Sequence, residues 1–176
     1  LLGYKKEFTI LDSDDSLLII KKIIKDMDLD PKMYNPKSIR NKISSAKNEM
    51  MAPKDLEKFA YSDIDNKTIE IYEKYQAKLE INNSLDFDDL LLKPIELFNS
   101  HPDILEKYQE RFKYILIDEY QDTNEVQYTL TKMLSKKYKN ICVVGDESQS
   151  IYAFRGSNYR NILNFEKDYP KSKIIL

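Results

Sequence analysis

Acidic residues that follow two apolar runs are the side chains of this sequence best suited to do chemistry. Asp118 and Glu119 follow the apolar run at 114–117, and Asp146 follows the run at 141–144 after a single glycine. An aspartate fixed by a strand can hold Mg²⁺, usually through water, while the metal bridges nucleotide phosphates. A neighbouring glutamate can polarise an attacking water. Strands also end in acids simply because loops are solvated, so these residues alone do not identify a reaction.

The two apolar runs are predicted to be strands of a parallel sheet. A last strand is predicted at 174–176, and helices are predicted at 86–98, 102–112, 124–137 and 158–169. Strands that alternate with helices indicate an α/β fold, and continuous apolar strands indicate a parallel sheet with helices on both faces. Ligands of such sheets bind outside the carboxyl ends of the strands, which is where the acids lie.

Residues before position 85 follow a different pattern. Apolar residues recur there at steps of three and four, which is helical spacing, in stretches at 17–27, 39–50 and 67–81. Asn35 followed by Pro36 is a typical helix start, and residues 82–84 form a break. We therefore predict an all-helical subdomain at 1–84, followed by an α/β domain at 85–176.

The composition is that of a globular protein. Of the 176 residues, 41% are hydrophobic and 33% are charged, with a formal net charge of −2, which excludes an intrinsically disordered chain. No apolar run approaches the roughly 20 residues that a membrane span needs. The single cysteine, Cys142, excludes an internal disulfide framework and is expected to be a small buried hydrophobe. A single cysteine fits a reducing compartment, so we expect a cytoplasmic protein.

Three longer motifs carry a family resemblance. They read LDFDDLL at 85–91, DEYQDT at 118–123 and VVGDESQSIYAFRGS at 143–157. Together they strongly resemble the superfamily 1 DNA helicases of the UvrD/Rep/PcrA group. The resemblance is tight over 85–176 and implies part of a RecA-like P-loop NTPase domain. Residues 1–84 resemble the helical subdomain that this group inserts in its first motor domain, by their position and their helical residue pattern more than by any motif.

The resemblance implies ATP and Mg²⁺ as cofactors of a 3′-to-5′ DNA helicase. Asp118 matches the acid that coordinates Mg²⁺, and Glu119 matches the catalytic base for ATP hydrolysis. Gln149 matches the glutamine that senses the γ-phosphate, and Arg155 matches an arginine that couples this segment to the second motor domain and the ATP site. A neutral amide suits the sensing role, because it can contact phosphate oxygen and shift when the phosphate leaves.

Three aromatic residues match the single-strand groove of the same helicases: Tyr152, Phe154 and Phe87. Stacking of a base on an aromatic ring contributes about 1–3 kcal/mol and tolerates any sequence, which suits a translocating motor. An aromatic near a strand end is more often part of a core, and this is the alternative for Phe87. Tyr152 and Phe154 share a loop of mixed polarity, which is an awkward composition for a core.

A basic stripe lies within residues 32–54, which carry six basic residues and one acid. Lys37, Arg40 and Lys47 are spaced at steps of three and seven and could share one helix face. Related helicases contact the duplex ahead of the fork with this subdomain, so we predict that the three residues bind DNA at single/double-strand junctions. A solvated helix face explains the same spacing. Contact with phosphate would make binding fall steeply with salt.

Several polar residues near the motifs have structural interpretations. Asp88 and Asp89 lie where a helix begins and favour its dipole, which explains them more simply than a metal site does. Asp122 or Asn124 caps the following helix. Tyr120 either packs under a nucleotide or fills the sheet edge.

Departures from the family pattern limit the expected activity. The Gly-rich phosphate loop ending in Gly-Lys-Thr or Gly-Lys-Ser does not occur among the three glycines of this chain. The chain begins without Met and ends inside an apolar run, so we expect a fragment that hydrolyses ATP weakly or not at all alone. Ser148 stands where the family usually has Asp, and Phe154 where it often has Trp.

Two other functions use the same residues. A non-catalytic nucleic-acid-binding or protein-docking module would need only the basic stripe and no phosphate loop. A Mg²⁺-dependent nuclease would use Asp118, Asp146 and Asp86 as metal ligands. Protein partners are not identified by any motif.

Overall fold

The computed structural model describes residues 1–146, 160–173 and 175, and the chain divides into two compact units, Leu1–Lys93 and Pro94–Leu176. The division falls inside helix α5 (Asp89–Ser100), later than the domain boundary predicted after Ser84. The difference arises because the residues directly after that boundary form a strand that pairs within the first unit.

The first unit is mostly helical and contains one two-stranded parallel sheet. Along the chain its elements are β1 (Thr9–Leu11), α1 (Ser13–Asp26), α2 (Pro36–Asn48), the short α3 (Pro53–Leu56), a 3₁₀ turn (Glu57–Phe59), α4 (Asp63–Ile81), β2 (Ser84–Asp86) and the start of α5. Thr9 pairs with Ser84 and Leu11 pairs with Asp86. The prediction of a purely helical region is therefore wrong for β1. A strand this short, paired with residues far along the chain, leaves no local pattern.

The core of the first unit forms where α1, α2 and α4 pack their apolar faces together. Its buried members are Ile20, Ile23, Ile24, Tyr34, Ile39, Ile43, Ala46, Ile71, Tyr72, Tyr75 and Leu79. Asn35 caps α2 as predicted, since its side chain accepts the N–H groups of Lys37 and Ser38, both at 3.1 Å. Helix α4 begins at Asp63, earlier than predicted, because Ser62 caps it.

In the described part of the second unit, two parallel strands form a sheet accompanied by helices. Its elements after α5 are α6 (Pro102–Arg111), β3 (Ile115–Ile117), a 3₁₀ turn (Tyr120–Asp122), α7 (Glu125–Ser135), β4 (Ile141–Val143) and α8 (Arg160–Asp168). The pairing of β3 with β4 confirms the predicted parallel α/β arrangement. The strand predicted at 174–176 lies outside the described residues apart from Ile175.

One face of the β3–β4 sheet differs from the prediction of a sheet covered on both sides. Leu116, in the middle of β3, is 78% exposed, and its register partner Cys142 is also exposed. The expectation that Cys142 is buried is therefore wrong. The cause is the alternation of side chains along a strand, which places these two central residues on the same open face.

No helix in the described part of the chain has the length and apolar character that crossing a lipid bilayer requires.

Candidate functional site

The predicted catalytic acids lie at one edge of the β3–β4 sheet. Asp118 and Glu119 follow the end of β3, and Asp146 lies just beyond the end of β4. Backbone pairing continues past the strands, because the N–H of Tyr120 donates to the carbonyl of Val144 at 2.9 Å. Asp118 and Glu119 are both exposed. The parallel strands therefore present carboxylates at the edge where such sheets bind ligands.

The donor set at this edge suits Mg²⁺ bound together with a nucleotide. Within the described ranges, no three His, Cys, Asp or Glu residues are grouped to hold a metal by themselves. Mg²⁺ is usually held by one or two carboxylates and keeps several waters and substrate phosphates as its other ligands. The exposed carboxylate of Asp118 fits that requirement.

Glu119 is held by an uncommon backbone conformation and by a buried amide. Its φ of 51° and ψ of 41° lie in the left-handed region, and its N–H donates to the Asp118 carboxylate at 2.9 Å. Gln121, which is 1% exposed, donates from Nε2 to Oε2 of Glu119 at 2.7 Å. The Oε1 atom of Gln121 accepts the backbone N–H of Asp146 at 3.0 Å. A single amide thus joins Glu119 to the end of the neighbouring strand.

The floor beneath this edge is built from buried residues of the same unit. Tyr120 is fully buried, its ring lies 5.8 Å from that of Phe165 in an edge-on arrangement, and burial raises the pKa of its hydroxyl. Tyr120 therefore fills the interior, which settles the alternative left open by the sequence.

Asn124 caps α7 in a reciprocal pair with Gln127, so the cap is not Asp122.

Phe87 lies in the first unit, between the end of β2 and the start of α5. Its side chain is 59% exposed, whereas Asp86 and Asp89 on either side are 7% and 1% exposed. The alternative that Phe87 belongs to a core does not hold. The ring is available to a base.

Lys47 differs most from its predicted place. It is 1% exposed, and its Nζ atom lies 2.7 Å from Oδ2 of Asp86 and 2.8 Å from Oδ1 of Asp89. The prediction that Lys47 contacts DNA phosphate is therefore wrong, because this face of α2 packs on the loop that follows β2. Lys37 is exposed and Arg40 is half-buried, with Nη1 of Arg40 donating to the carbonyl of Ser13 at 3.2 Å.

The same ion pairs bear on the nuclease alternative. Asp86 would have to face solvent to serve as a metal ligand beside Asp118 and Asp146, but it is buried and paired with Lys47. The proposed trio of metal ligands is therefore not available in this structure.

Comparison with known proteins identifies the family of the chain. A family model described as the UvrD/REP helicase N-terminal domain matches residues 1–170. The chain belongs to the UvrD/REP helicase family. It is 50% identical over 175 residues to the ATP-dependent DNA helicase PcrA of Bacillus subtilis (strain 168), covering 99% of this chain and 24% of that protein. It is 46% identical over 175 residues to the PcrA helicase of Leuconostoc citreum, covering 99% of this chain and 23% of that protein.

The predicted membership of the UvrD/Rep/PcrA group is thus confirmed. A PcrA helicase of Staphylococcus aureus (strain Mu50 / ATCC 700699) is likewise 46% identical over 174 residues, covering 99% of this chain and 24% of that protein. This UvrD/REP helicase chain spans about a quarter of the length of the curated relatives it matches.

Four of the predicted site residues of the UvrD/REP helicase chain lie outside the described residues: Gln149, Tyr152, Phe154 and Arg155. Their roles in phosphate sensing, coupling and base stacking stay predictions.

Sequence reasoning about this UvrD/REP helicase chain missed Gln121. The available signal was its spacing, since a glutamine two residues after Glu119 can reach back across a tight turn to that carboxylate. No comparable local signal exists for the Lys47 ion pairs, because α2 and the residues after β2 are far apart in sequence.

Proposed function

We propose that this chain supplies the ATP-hydrolysing strand edge of a 3′-to-5′ DNA helicase. In the whole protein, hydrolysis of Mg-ATP drives movement along single-stranded DNA and unwinds duplex. The observation that carries the proposal is the exposed Asp118–Glu119 pair at the end of β3, tied by the buried Gln121 to the end of β4. The relatives named ATP-dependent DNA helicase PcrA support it.

Each acid has one task in this proposal. Asp118 holds Mg²⁺, which neutralises negative charge on the phosphates when it is bound. Glu119 accepts a proton from the water that attacks the γ-phosphate. Gln121 donates to the Glu119 carboxylate and keeps it aimed outward, since the same amide is anchored by the N–H of Asp146.

DNA contacts are assigned to aromatic and basic side chains. Phe87 stacks on a base of the single strand, together with Tyr152 and Phe154. Lys37 and Arg40 approach duplex phosphates at a single/double-strand junction. We propose a cytoplasmic location for this activity, which is the compartment expected from the cysteine content.

The isolated chain is expected to hydrolyse ATP weakly or not at all. Its 176 residues contain no Gly-Lys-Thr or Gly-Lys-Ser sequence to cradle the phosphates. Tests of catalysis therefore use the full-length protein that carries this chain.

The deciding experiment replaces Glu119 by Gln in the full-length protein. Loss of a general base lowers turnover by about 100- to 10,000-fold, while ATP binding is retained because the amide keeps the shape of the carboxylate. Steady-state ATPase assays with single-stranded DNA measure turnover, and a fluorescent ATP analogue measures binding. Glu166→Gln, at an exposed position on α8, is the matched control and should hydrolyse ATP normally.

Two results would count against the proposal. Turnover by Glu119→Gln within about twofold of the wild-type rate would remove the role of Glu119. A full-length protein that binds DNA but hydrolyses no ATP would favour the non-catalytic binding module instead.

A further inference from the structure

The loop that carries Phe87 is closed on itself by two buried carboxylates. Oδ1 of Asp86, at the end of β2, accepts the backbone N–H of Asp89 at 2.9 Å. In return, Oδ2 of Asp89 accepts the backbone N–H of Asp86 at 3.4 Å. The loop is therefore a tight turn in which both flanking acids point inward while the ring of Phe87 is 59% exposed.

A lysine from another helix holds both of these carboxylates. The ammonium of Lys47 on α2 lies 2.7 Å from Asp86 and 2.8 Å from Asp89, and all three side chains are buried. The hydroxyl of Tyr75 on α4 also donates to Oδ2 of Asp86, at 2.9 Å. Burial raises the pKa of Asp89, and the ammonium of Lys47 opposes that rise. These acids would be costly to bury without their donors.

Helix α2 also reaches the residue on the other side of the ring. Nδ2 of Asn48, the neighbour of Lys47, donates to Oδ1 of Asp88 at 3.2 Å. Adjacent residues of one helix thus contact the acids that precede and follow Phe87. The backbone around the ring is fixed by contacts that do not involve the ring itself.

We infer that Lys47 is a positioning residue for DNA binding. Its ion pairs fix the 86–89 loop, so that the ring of Phe87 is a preformed surface on which a base can stack. A buried ion pair adds little net stability compared with well-packed apolar side chains, so stability alone is a weak explanation for it. A ring held in place before binding loses less conformational freedom when a base stacks on it. The inference rests on the proposed function in one respect, namely that Phe87 contacts DNA.

Helix α2 also carries Lys37 and Arg40, the residues assigned to duplex phosphates. The ion pairs of Lys47 therefore tie the helix proposed to meet duplex to the loop proposed to meet the single strand. A displacement of α2 on duplex contact would move the residues on either side of Phe87.

A double-mutant cycle in the full-length protein separates positioning from general structural damage. Binding of a fluorescein-labelled oligothymidylate is followed by anisotropy for Lys47→Met, Phe87→Ala and the double variant. Phe87→Ala should weaken binding about 5- to 150-fold, the range expected for loss of one stacked base. Lys47→Met should weaken it about 3- to 30-fold when Phe87 is present, and less than about twofold when Phe87 is already replaced.

Lys74→Met on α4 is the matched control, since Lys74 is 50% exposed in its side chain. It should bind the oligonucleotide like the wild type. Equal losses from Lys47→Met with and without Phe87, or no loss from a folded Lys47→Met, would overturn the inference.

Loss of Lys47 alone leaves two buried acids and can unfold the chain. The variant Lys47→Met/Asp86→Asn/Asp89→Asn removes all three charges together and keeps acceptor oxygens for the turn. Circular dichroism checks that this triple variant folds. The triple variant should bind the oligonucleotide more weakly than wild type when Phe87 is present, and the loss should be much smaller when Phe87 is already replaced. Wild-type affinity in this folded variant would also overturn the inference.

A DNA-free readout separates failure of the inference from failure of the proposed function. The chain has no Trp, so Phe87→Trp is a single fluorescent reporter in the 176-residue protein. Lys47→Met should lower the steady-state anisotropy of this reporter by freeing the loop, and unchanged anisotropy would contradict positioning. If Phe87→Ala leaves DNA affinity unchanged, the DNA contact proposed for Phe87 fails, whatever the reporter shows.

Discussion

Replacing Gln121 by Met tests whether the buried amide positions Glu119, the proposed catalytic base. The change keeps the length of the side chain but removes the 2.7 Å hydrogen bond to Glu119 and the 3.0 Å bond from Asp146. A hydrogen bond to a charged group contributes about 1.5–3 kcal/mol. If that free energy is fully expressed in the transition state, kcat falls about 10- to 150-fold, since each 1.36 kcal/mol is tenfold in rate.

The assay is steady-state ATP hydrolysis by the full-length protein at saturating single-stranded DNA. We expect kcat to fall while the KM for ATP changes less than about twofold, because Gln121 contacts Glu119, the proposed base, and is assigned no part in binding the nucleotide. Gln109→Met is the matched control, since Gln109 is 8% exposed and donates to the carbonyl of Met133 at 2.7 Å in the same unit. A kcat for Gln121→Met within about twofold of wild type, or an equal drop for Gln109→Met, would refute the reasoning.

Two other predictions concern stability and salt. Burial raises the pKa of Asp88 in the folded state above its ordinary value of 3.8. Between pH 3.8 and that raised pKa, the folded state binds more protons than the unfolded state. The folded state therefore loses stability as pH rises through this window. In urea unfolding, the free energy of unfolding of Asp88→Asn relative to wild type should therefore increase from pH 4 to pH 7. Glu73→Gln, at an exposed position, is the control and should show no such increase. A difference between Asp88→Asn and wild type that does not change with pH would contradict this prediction. Replacing Lys37 and Arg40 by Gln should make the log–log salt dependence of binding to tailed duplex shallower by about 1.8, and an unchanged slope would show that neither meets a phosphate.

The parts of the fold that follow from local sequence were predictable. The apolar runs that became β3 and β4, the Asn35 cap of α2 and the start of α7 after Asn124 all depend on neighbours within a few residues. The acidic strand ends were found for the same reason, since Asp118 follows its strand directly.

What the sequence could not supply depends on residues far apart in the chain. Strand β1 exists because β2 lies beside it, and the burial of Lys47 exists because Asp86 and Asp89 meet its helix face. A basic stripe looks the same in sequence whether its lysines face water or a carboxylate. Cys142 was misjudged for the opposite reason, since an apolar strand does not reveal which of its faces is covered.

The left-handed backbone at Glu119 brings the stability of the fold and the proposed catalytic role into conflict at one position. A residue with a β-carbon is disfavoured there by roughly 1–2 kcal/mol relative to glycine. Selection for heat tolerance alone would therefore drive position 119 towards Gly, and the carboxylate would be lost. Thermostabilised versions of this chain should be engineered away from that turn.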